Sequence, residues 1–439
     1  MAKYETIARL GWPLLITLSV IPILMWALMM PLDERFGNVY TTLGSLGKVV
    51  GIAAVVSYSF NLILTTRLGF LESLFGGLNK MFIAHHVIGG LALCFALAHS
   101  LFLTLRLTTV SFKDAALLGI PGTTNLATTF GVIGLWGLVI LMILTFYVRL
   151  PYAVWLLTHK FLGLVFLFIA VHIILISSDT SNNLALKLYL LALIGAAMIS
   201  FVYRTLLPRF FSRRYKYRID TVRAAAPGVI RITMSPLAKR LDFTPGQFIF
   251  ISFRTPGFSR EWHPFSISSN SQSDGLSITI KNLGQYTSTL TKIAPGLLGQ
   301  EVMLEGAYGK FYFRNFHSKR QVWVAGGIGV TPFLSMIQDI TPDCKVDLYY
   351  SVKTEAEVID LAILLEWAEA SQGAFRVIFF VTDRDGFLTA ERIKQISGGL
   401  DNTELLLCGP PPMMRALKGQ LKGLGIENKL IHSEEFALT

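Results

Sequence analysis

Six long apolar runs occupy the first half of the chain and restrict its possible folds more than any other feature. They cover residues 10–30, 43–65, 82–105, 127–148, 153–177 and 186–207. An α-helix needs about 20 apolar residues to cross the hydrocarbon core of a bilayer. The first run is too long for a secretory signal peptide, and further apolar runs follow it. The sequence therefore predicts a membrane all-α, six-helix bundle.

Charge is distributed unevenly between the two halves of the chain. Residues 1–209 hold 13 of the 39 Lys and Arg residues and 6 of the 28 Asp and Glu residues. Basic residues gather at the cytoplasmic ends of membrane spans, and six lie at or after the end of the last run: Arg204, Arg209, Arg213, Arg214, Lys216 and Arg218. We therefore expect an integral protein of the plasma (inner) membrane, with both termini cytoplasmic. The net charge of +11 mostly reflects this bias, so the expected partner is the lipid bilayer and not a nucleic acid.

The second half of the chain changes pattern twice. Short β-rich runs separated by turn residues predict an antiparallel β-barrel; they cover residues 215–222, 229–234, 248–253, 276–281 and 301–304. From Gln321 strand and helix patterns alternate, which predicts an α/β domain with a parallel sheet. The predicted domains are thus a transmembrane domain at 1–209, a barrel at 210–318 and a nucleotide-binding domain at 319–439.

Four histidines at matched depths in the third and fifth apolar runs are candidate metal ligands. His85 and His99 lie about 21 Å apart along a helix, and His159 and His172 about 20 Å. Ionisable side chains inside a bilayer usually face the bundle interior and bind something there. The pattern predicts two stacked haems, an inner one on His85 and His159 and an outer one on His99 and His172. His86, next to the first of these, is expected to be structural or to lie near a haem propionate, and not to bind iron.

Helix geometry supports this assignment only in part. His85 and His99 share a face, because fourteen residues at 100° each return to within about 40° of the start. The same geometry puts His159 and His172 on different faces, unless the helix is kinked near Gly163. The alternative interpretation is that these histidines form hydrogen bonds between helices, as polar side chains in membrane bundles do.

Basic residues at the outer ends of the runs are weaker candidates. Lys48, Arg106 and Arg35 would suit haem propionates or an anionic acceptor. They would equally extend to the interface, as basic side chains at span ends ordinarily do. Three scattered cysteines cannot supply the four thiolates of a plant-type iron–sulfur cluster.

A group of small polar residues and glycines in the predicted barrel is suited to a flavin. Its members are His263, Pro264, Phe265, Ser266, Ser268, Lys281, Gly284, Tyr286 and Thr287. Hydroxyls and backbone N–H groups suit the isoalloxazine edge, whereas a lysine and a glycine turn suit a diphosphate. Each of these short motifs alone is equally compatible with an ordinary strand and turn.

Two glycine-containing segments follow strands of the predicted parallel sheet. The first contains Gly326, Gly327, Gly329, Thr331 and Pro332, and the second contains Cys408, Gly409 and Pro410. Glycines between a strand and a helix allow backbone N–H groups to approach a phosphate. Ligands of open α/β sheets gather at the carboxyl ends of the strands, so a nucleotide is expected where these segments meet.

In this order, the motifs resemble the NADPH oxidase and ferric reductase family of transmembrane flavocytochromes. The soluble half resembles the ferredoxin-NADP reductase superfamily. The resemblance implies that His263–Ser266 bind FAD, with Lys281 and residues 284–287 near its phosphates. It also implies that residues 326–332 and 408–410 hold the nicotinamide cofactor.

The resemblance further implies two residues at the reacting centre, Cys408 and Phe436. Phe436 matches an aromatic residue that covers the flavin ring in the family, although three residues follow it here. Ala307 stands where the family usually has proline. Lys353 and Arg384 are candidates for a 2′-phosphate, which favours NADPH over NADH, although either would also be an ordinary surface charge.

These features predict an electron relay. Electrons would pass from cytoplasmic NAD(P)H through FAD and two b-type haems to an extracytoplasmic acceptor, preferably ferric iron or a metal chelate. Dioxygen reduction to superoxide is the alternative acceptor reaction. Interpretations of another class are a flavin-regulated membrane transporter and a haem-free, quinone-linked reductase.

Overall fold

The computed structural model describes residue 7 and residues 10–205, 214–255 and 258–434. The chain separates into two compact units, one of residues 6–211 and one that contains residues 212–439. Phe436, Arg209 and Arg213 lie outside the described residues.

The first unit is helical. Its long helices are α1 (Gly11–Ala27), α2 (Val39–Leu64), α3 (Leu78–Thr108), α4 (Leu126–Phe146), α5 (Tyr152–Leu175) and α6 (Leu184–Thr205). Short helices at Leu32–Arg35, Gly69–Phe75, Phe112–Leu118 and Asp179–Asn182 connect them. Asn38 and Asn125 each accept a hydrogen bond from a backbone N–H of the following turn, which defines where α2 and α4 begin.

Five of the six predicted spans are confirmed as helices long and apolar enough to cross a membrane, namely α2 to α6. Helix α1 has 17 residues and is therefore about 26 Å long, shorter than a bilayer core of roughly 30 Å. Residues 10–30 as a sixth span therefore stay a prediction.

Small residues let neighbouring membrane helices approach closely. A Cβ at Gly134 of α4 would lie 2.7 Å from Ile169 of α5, and one at Gly163 of α5 would overlap the ring of Phe201. Such residues are typical of helix interfaces in membranes, where packing drives association. Helix α5 continues through Gly163, where the absence of a side chain makes room for the ring of Phe201.

The second unit begins with a six-stranded antiparallel sheet, whose neighbouring strands follow the order β4-β3-β6-β1-β2-β5. Its strands are β1 (Arg214–Ala226), β2 (Val229–Pro236), β3 (Phe248–Phe253), β4 (His263–Ser266), β5 (Leu276–Lys281) and β6 (Glu301–Tyr308). The sheet curls, because a bridge between Ile267 and Ile278 joins its two edges. Helix α7 (Gln285–Ile293) follows β5. The five predicted strand runs are present, and β4 was missed.

A five-stranded parallel sheet completes this unit, with the order β11-β10-β7-β8-β9. Its strands are β7 (Arg320–Gly326), β8 (Lys345–Val352), β9 (Phe375–Val381), β10 (Glu404–Cys408) and β11 (Ile431–Glu434). The helices are α8 (Thr331–Met336), α9 (Leu361–Ala370), α10 (Ala390–Ile396) and α11 (Pro411–Gly423), with a short helix at Thr382–Asp385. The 3-10 turns of this unit are Ala294–Leu297, Phe313–Asn315, Gly327–Val330, Ile337–Asp339, Glu355–Glu357 and Asn428–Leu430.

The parallel class of this sheet is confirmed, but the helix that the sequence predicts over residues 333–340 is shorter than expected. The run at 333–340 contributes to α8, which ends at Met336 and is followed by the 3-10 turn Ile337–Asp339. Buried apolar side chains such as Trp323 and Leu348 line the interior of the sheet. Because β7 and β10 are neighbours in it, the ends of these two strands lie side by side.

Candidate functional site

Two of the four candidate histidines meet directly in the helical unit. The ring centres of His85 on α3 and His159 on α5 are 6.1 Å apart. An iron held by two imidazoles at about 2 Å each would separate the ring centres by about 6 Å. His159 also stacks on Trp155, at 5.2 Å between ring centres. His86 lies on the exposed side of α3, so the structure brings together the inner pair expected from the sequence.

The outer histidines are each held against a neighbouring helix. The Nδ1 atom of His99 lies 2.7 Å from the carbonyl oxygen of Gly47 on α2. The Nδ1 atom of His172 lies 2.8 Å from the carbonyl oxygen of Ala127 on α4. No direct ring contact joins His99 and His172 among the described residues. His159 and His172 thus face different neighbours, as the geometry of a straight helix requires.

These hydrogen bonds determine which ring nitrogen carries the proton. A carbonyl oxygen only accepts, so Nδ1 is the donor in His99 and His172, and also in His85, which lies 3.2 Å from the Asn61 carbonyl. The other nitrogen, Nε2, then keeps its lone pair for a metal. Metal-binding histidines usually donate their second nitrogen in this way.

The buried Nδ1 atom of His159 has no hydrogen-bond partner among the described residues. Buried polar atoms in folded proteins are nearly always paired, and an exception needs an explanation. The tautomers of the other three histidines and the spacing of the inner pair fit an iron porphyrin held by imidazoles. The four residues therefore suit the predicted haem group.

A cluster of charges lies at the end of the bundle opposite the inner pair. Asp179 accepts hydrogen bonds from Lys48 at 2.7 Å and from Trp26 at 3.0 Å, and the Arg35 guanidinium lies 3.5 Å away. Burial by itself raises the pKa of Asp179, but the hydrogen bond and charge of Lys48 outweigh it and lower the pKa. Two of the basic residues expected to bind an anion are thus already paired with a carboxylate of the chain.

Arg106 differs from these two residues. Its guanidinium lies over the ring of Tyr40, 4.1 Å from the ring centre. Its buried Nε atom has no partner in the described part of the chain. Of the three outer basic residues, Arg106 is therefore the one whose donor remains available to a propionate.

The predicted flavin residues lie along β4, β5 and the start of α7. In β4, Ser266 pairs with Phe248 of β3. The Ser268 hydroxyl lies 2.9 Å from the Thr279 hydroxyl. His263 stacks on Tyr286 with 3.5 Å between ring centres.

His263 is neutral at pH 7. Burial lowers the pKa of His263, although the hydrogen bond with Glu261 opposes this shift. Its Nε2–H therefore donates to the Glu261 carboxylate at 3.1 Å. The nearby Tyr286 hydroxyl is buried without a partner among the described residues, and burial raises its pKa, so it remains a donor for a ligand.

The turn before α7 is closed by the side chain of Thr287. The Thr287 hydroxyl accepts the backbone N–H of Gly284 at 3.0 Å and donates back to the Gly284 carbonyl. Helix α7 starts at the next residue with nine residues in all, and free N–H groups at a helix start attract phosphates. The Tyr286 hydroxyl, which lacks a hydrogen-bond partner among the described residues, and the start of α7 together fit a bound FAD.

The two glycine segments of the parallel sheet pack on each other. Cys408 of β10 is in register with Ala325 of β7. A Cβ at Gly326 would lie 2.7 Å from Pro410, and one at Gly329 would lie 2.6 Å from the Cys408 carbonyl carbon. Only residues without side chains allow the segments this approach. The two glycine segments predicted to bind the nicotinamide cofactor therefore lie together at the carboxyl ends of β7 and β10. Ligands of open α/β sheets bind at the carboxyl ends of the strands.

Of the two predicted catalytic residues, only Cys408 is described. Its side chain is fully buried, and this burial, together with the charge of Glu434, raises the pKa of its thiol well above the ordinary value. Cys408 is therefore a neutral thiol, and its predicted catalytic role depends on position and not on nucleophilicity.

Lys281, expected near the FAD phosphates, is already paired with a carboxylate of the chain. Its ammonium forms an ion pair with Glu357 at 3.0 Å. It also lies 4.0 Å from the position of a Cβ at Gly327, so it sits over the glycine turn of the nicotinamide segment. Nearby, Arg231 of β2 pairs with Asp360. Two ion pairs thus link the antiparallel sheet to the segment that follows β8.

The candidates for a 2′-phosphate differ in their surroundings. Lys353 is exposed directly after β8. Arg384 pairs with Glu355 at 2.5 Å and with Asp385 at 2.9 Å. The hydrogen bond from Arg384 lowers the pKa of Asp385 to about 2, and this arginine is already paired with two carboxylates of the chain.

Sequence reasoning missed the residues that hold the histidines. They are Gly47, Gly51, Asn61, Ala127 and Gly131. The available signal was the spacing of small residues four apart, at 47 and 51 and at 127 and 131, which marks close helix contacts in membranes.

Three family models match the chain in succession. Residues 50–170 match a ferric reductase like transmembrane component, residues 214–311 an FAD-binding domain, and residues 323–419 an oxidoreductase NAD-binding domain. The first match contains His85, His99 and His159 and ends just before His172.

The similar proteins match about half of the chain. The toluate 1,2-dioxygenase electron transfer component of Pseudomonas putida is 29% identical over 236 residues, 51% of this chain and 68% of that protein. Ferric reduction oxidase 4 of Arabidopsis thaliana is 28% identical over 196 residues, 44% of this chain and only 26% of that protein. A solved cytochrome P450 reductase from Amycolatopsis aligns with 51% of this chain and 70% of its own, at 24% identity and a TM-score of 0.46.

The matched domains agree with the two units described above. The apolar helices coincide with the transmembrane component, and the two sheets coincide with the FAD- and NAD-binding domains. The protein is an integral membrane oxidoreductase that combines a ferric reductase like transmembrane component with an FAD-binding domain and an oxidoreductase NAD-binding domain.

Proposed function

We propose that the protein carries electrons from cytoplasmic NAD(P)H to an extracytoplasmic ferric chelate, through FAD and two b-type haems. The observation that carries this proposal is the set of histidines on α3 and α5, three of which donate Nδ1 to a carbonyl and keep Nε2 for iron. When bound, FAD would accept the hydride and the haems would pass its two electrons singly. Two ferric ions would then be reduced, and one proton released, for each NAD(P)H.

The residues of the chain contribute position and electrostatics. His85 and His159 would bind the inner haem, and His99 and His172 the outer one; the haems would supply single-electron transfer to the acceptor. Arg106 would donate to an outer propionate. In the soluble half, Tyr286 and the turn at 284–287 would hold FAD. We further infer six spans, domain limits near 209 and 318, and cytoplasmic termini.

Impermeant reagents on the two sides of a vesicle test the acceptor. The protein would be reconstituted with NADPH outside and a ferric chelate enclosed inside, and ferrous iron followed with an enclosed colour reagent. We expect ferrous iron to form at a rate that superoxide dismutase and anaerobic conditions leave unchanged. Loss of the signal under either condition would assign the electrons to dioxygen. NADPH oxidation without any enclosed product would contradict transmembrane transfer.

We propose that Lys281, which lies beside the Gly327 turn, contacts the diphosphate of NAD(P)H and not that of FAD as first expected, and that Glu357 competes for this contact. Replacing Glu357 by Gln leaves the ammonium without its ionised partner, and charge-assisted hydrogen bonds to phosphate are strong. We expect the KM for NAD(P)H to fall by roughly three- to tenfold with kcat unchanged, measured by ferricyanide reduction. Glu427→Gln, which breaks the exposed pair with Lys429 at 2.7 Å, is the matched control. An unchanged KM in Glu357→Gln would place Lys281 outside the phosphate site.

Lys353 is expected to set the preference for NADPH. Lys353→Ala should lower the ratio of kcat/KM for NADPH to that for NADH by about tenfold, the effect of losing one charged contact to phosphate. Arg384→Ala should change this ratio by less than about twofold, because two carboxylates already occupy its guanidinium. The reverse ranking of the two variants would assign the 2′-phosphate to Arg384.

A further inference from the structure

The two outer histidines are held by the same arrangement on two different helix pairs. His99 of α3 donates to the carbonyl of Gly47, and its ring lies against Gly51 one turn further along α2. His172 of α5 donates to the carbonyl of Ala127, and its ring lies against Gly131 one turn further along α4. In both cases the accepting residue precedes the glycine by four positions.

Both glycines are required by the position of the ring. A Cβ at Gly51 would lie 2.6 Å from Nδ1 and 2.9 Å from Cε1 of His99. A Cβ at Gly131 would lie 2.8 Å from Nδ1 and 3.0 Å from Cε1 of His172. Backbone of a packed helix cannot retreat easily, so the imidazole would have to move and its hydrogen bond to the carbonyl would break.

The inner histidines are held differently. His85 donates to Asn61 at the longer distance of 3.2 Å, and the Asn61 amide in turn donates to the His85 carbonyl at 3.1 Å. The Nδ1 atom of His159 has no partner among the described residues. The glycine contact therefore distinguishes the outer pair from the inner pair.

We propose that Gly51 and Gly131 are positioning residues for the outer haem. They leave room for the rings of His99 and His172, so that Nδ1 donates to a backbone carbonyl and Nε2 is available to the iron. This proposal rests on the proposed two-haem relay and deepens it. A hydrogen bond from Nδ1 makes the imidazole a stronger donor to the metal, which favours ferric iron. Loss of these contacts should thus raise the reduction potential of the outer haem alone, or release that haem.

Alanine at each glycine tests this proposal, with haem content and potential as readouts. The variants are Gly51→Ala and Gly131→Ala in the full-length protein. The controls are Gly90→Ala and Gly195→Ala, where a Cβ meets no atom within 4 Å. Gly90 lies on α3 nine residues before His99, on the opposite face of the helix.

Each variant would be measured in isolated membranes and after purification, by haem-to-flavin ratio and by redox titration of the haem absorption. We expect one of the two haem components to be lost or to shift to a more positive potential in both glycine variants. The other component should stay unchanged, and both controls should resemble the parent protein.

Three results would overturn the proposal. The first is two haems at the parental potentials in both glycine variants. The second is an equal shift of both components, which would indicate general loosening of the bundle. The third is simultaneous loss of flavin and both haems in both variants, which would assign the glycines to folding alone. A parent protein that binds flavin and lacks haem would instead contradict the proposed function.

Discussion

Replacement of His99 or His172 by alanine is expected to reduce the haem content from two per flavin to one. Each change removes a residue that would bind the haem iron, and even loss of a residue that only orients a ligand lowers metal affinity by about 10- to 100-fold. Transfer to an enclosed ferric chelate should therefore fall by more than about a hundredfold. Haem content would be measured as the pyridine haemochrome, relative to flavin released on denaturation.

His86→Ala is the matched control, because this histidine is adjacent to His85 on α3 and lies on its exposed side. It should retain two haems and most of the transfer rate. Ferricyanide reduction by NADPH should persist in all three variants, because that activity requires only the soluble half. Two haems in both His99→Ala and His172→Ala would show that these histidines are structural.

Replacement of Gly329 by alanine is expected to abolish reduction of the flavin by NAD(P)H while FAD stays bound. The new Cβ would lie 2.6 Å from the carbonyl carbon of Cys408 and 2.9 Å from Gly409. The two glycine segments would then have to separate, and a misplacement of about 1 Å in a reacting site lowers the rate about a hundredfold. Stopped-flow bleaching of the flavin absorption under anaerobic conditions measures this step.

Photochemical reduction of the flavin should remain normal in Gly329→Ala, which separates a nicotinamide defect from loss of FAD. Gly419→Ala in α11 is the matched control, since a Cβ there meets no atom within 4 Å, and it should reduce flavin at the parental rate. Rapid bleaching in Gly329→Ala would show that the nicotinamide lies away from the segment after β7.

The fold was largely predictable because its strongest signals are local. Five of the apolar runs are helices, and the five β-rich runs are strands. Strand β4 was missed because its four residues, His263–Ser266, include a proline and lack a β-branched side chain. Strand β4 forms because its backbone pairs with β3, a contact that local sequence propensity does not reveal.

The site was predictable only where a single residue type carries the chemistry. Histidines inside apolar helices and glycines after strands could be recognised from the sequence alone. The partners of Lys281 and Lys48 could not, because Glu357 and Asp179 are far away in the chain. Such pairs form only when the fold brings distant segments together, so the sequence left both lysines as candidates for external anions.

The measurement that tests the central claim most directly is an absorption spectrum of the purified protein, before and after NADPH under anaerobic conditions. We expect two b-type haems per flavin, both reduced by NADPH, and no haem reduction in protein stripped of FAD. A protein that binds flavin without haem, or whose haems stay oxidised while the flavin is reduced, would contradict the proposed relay.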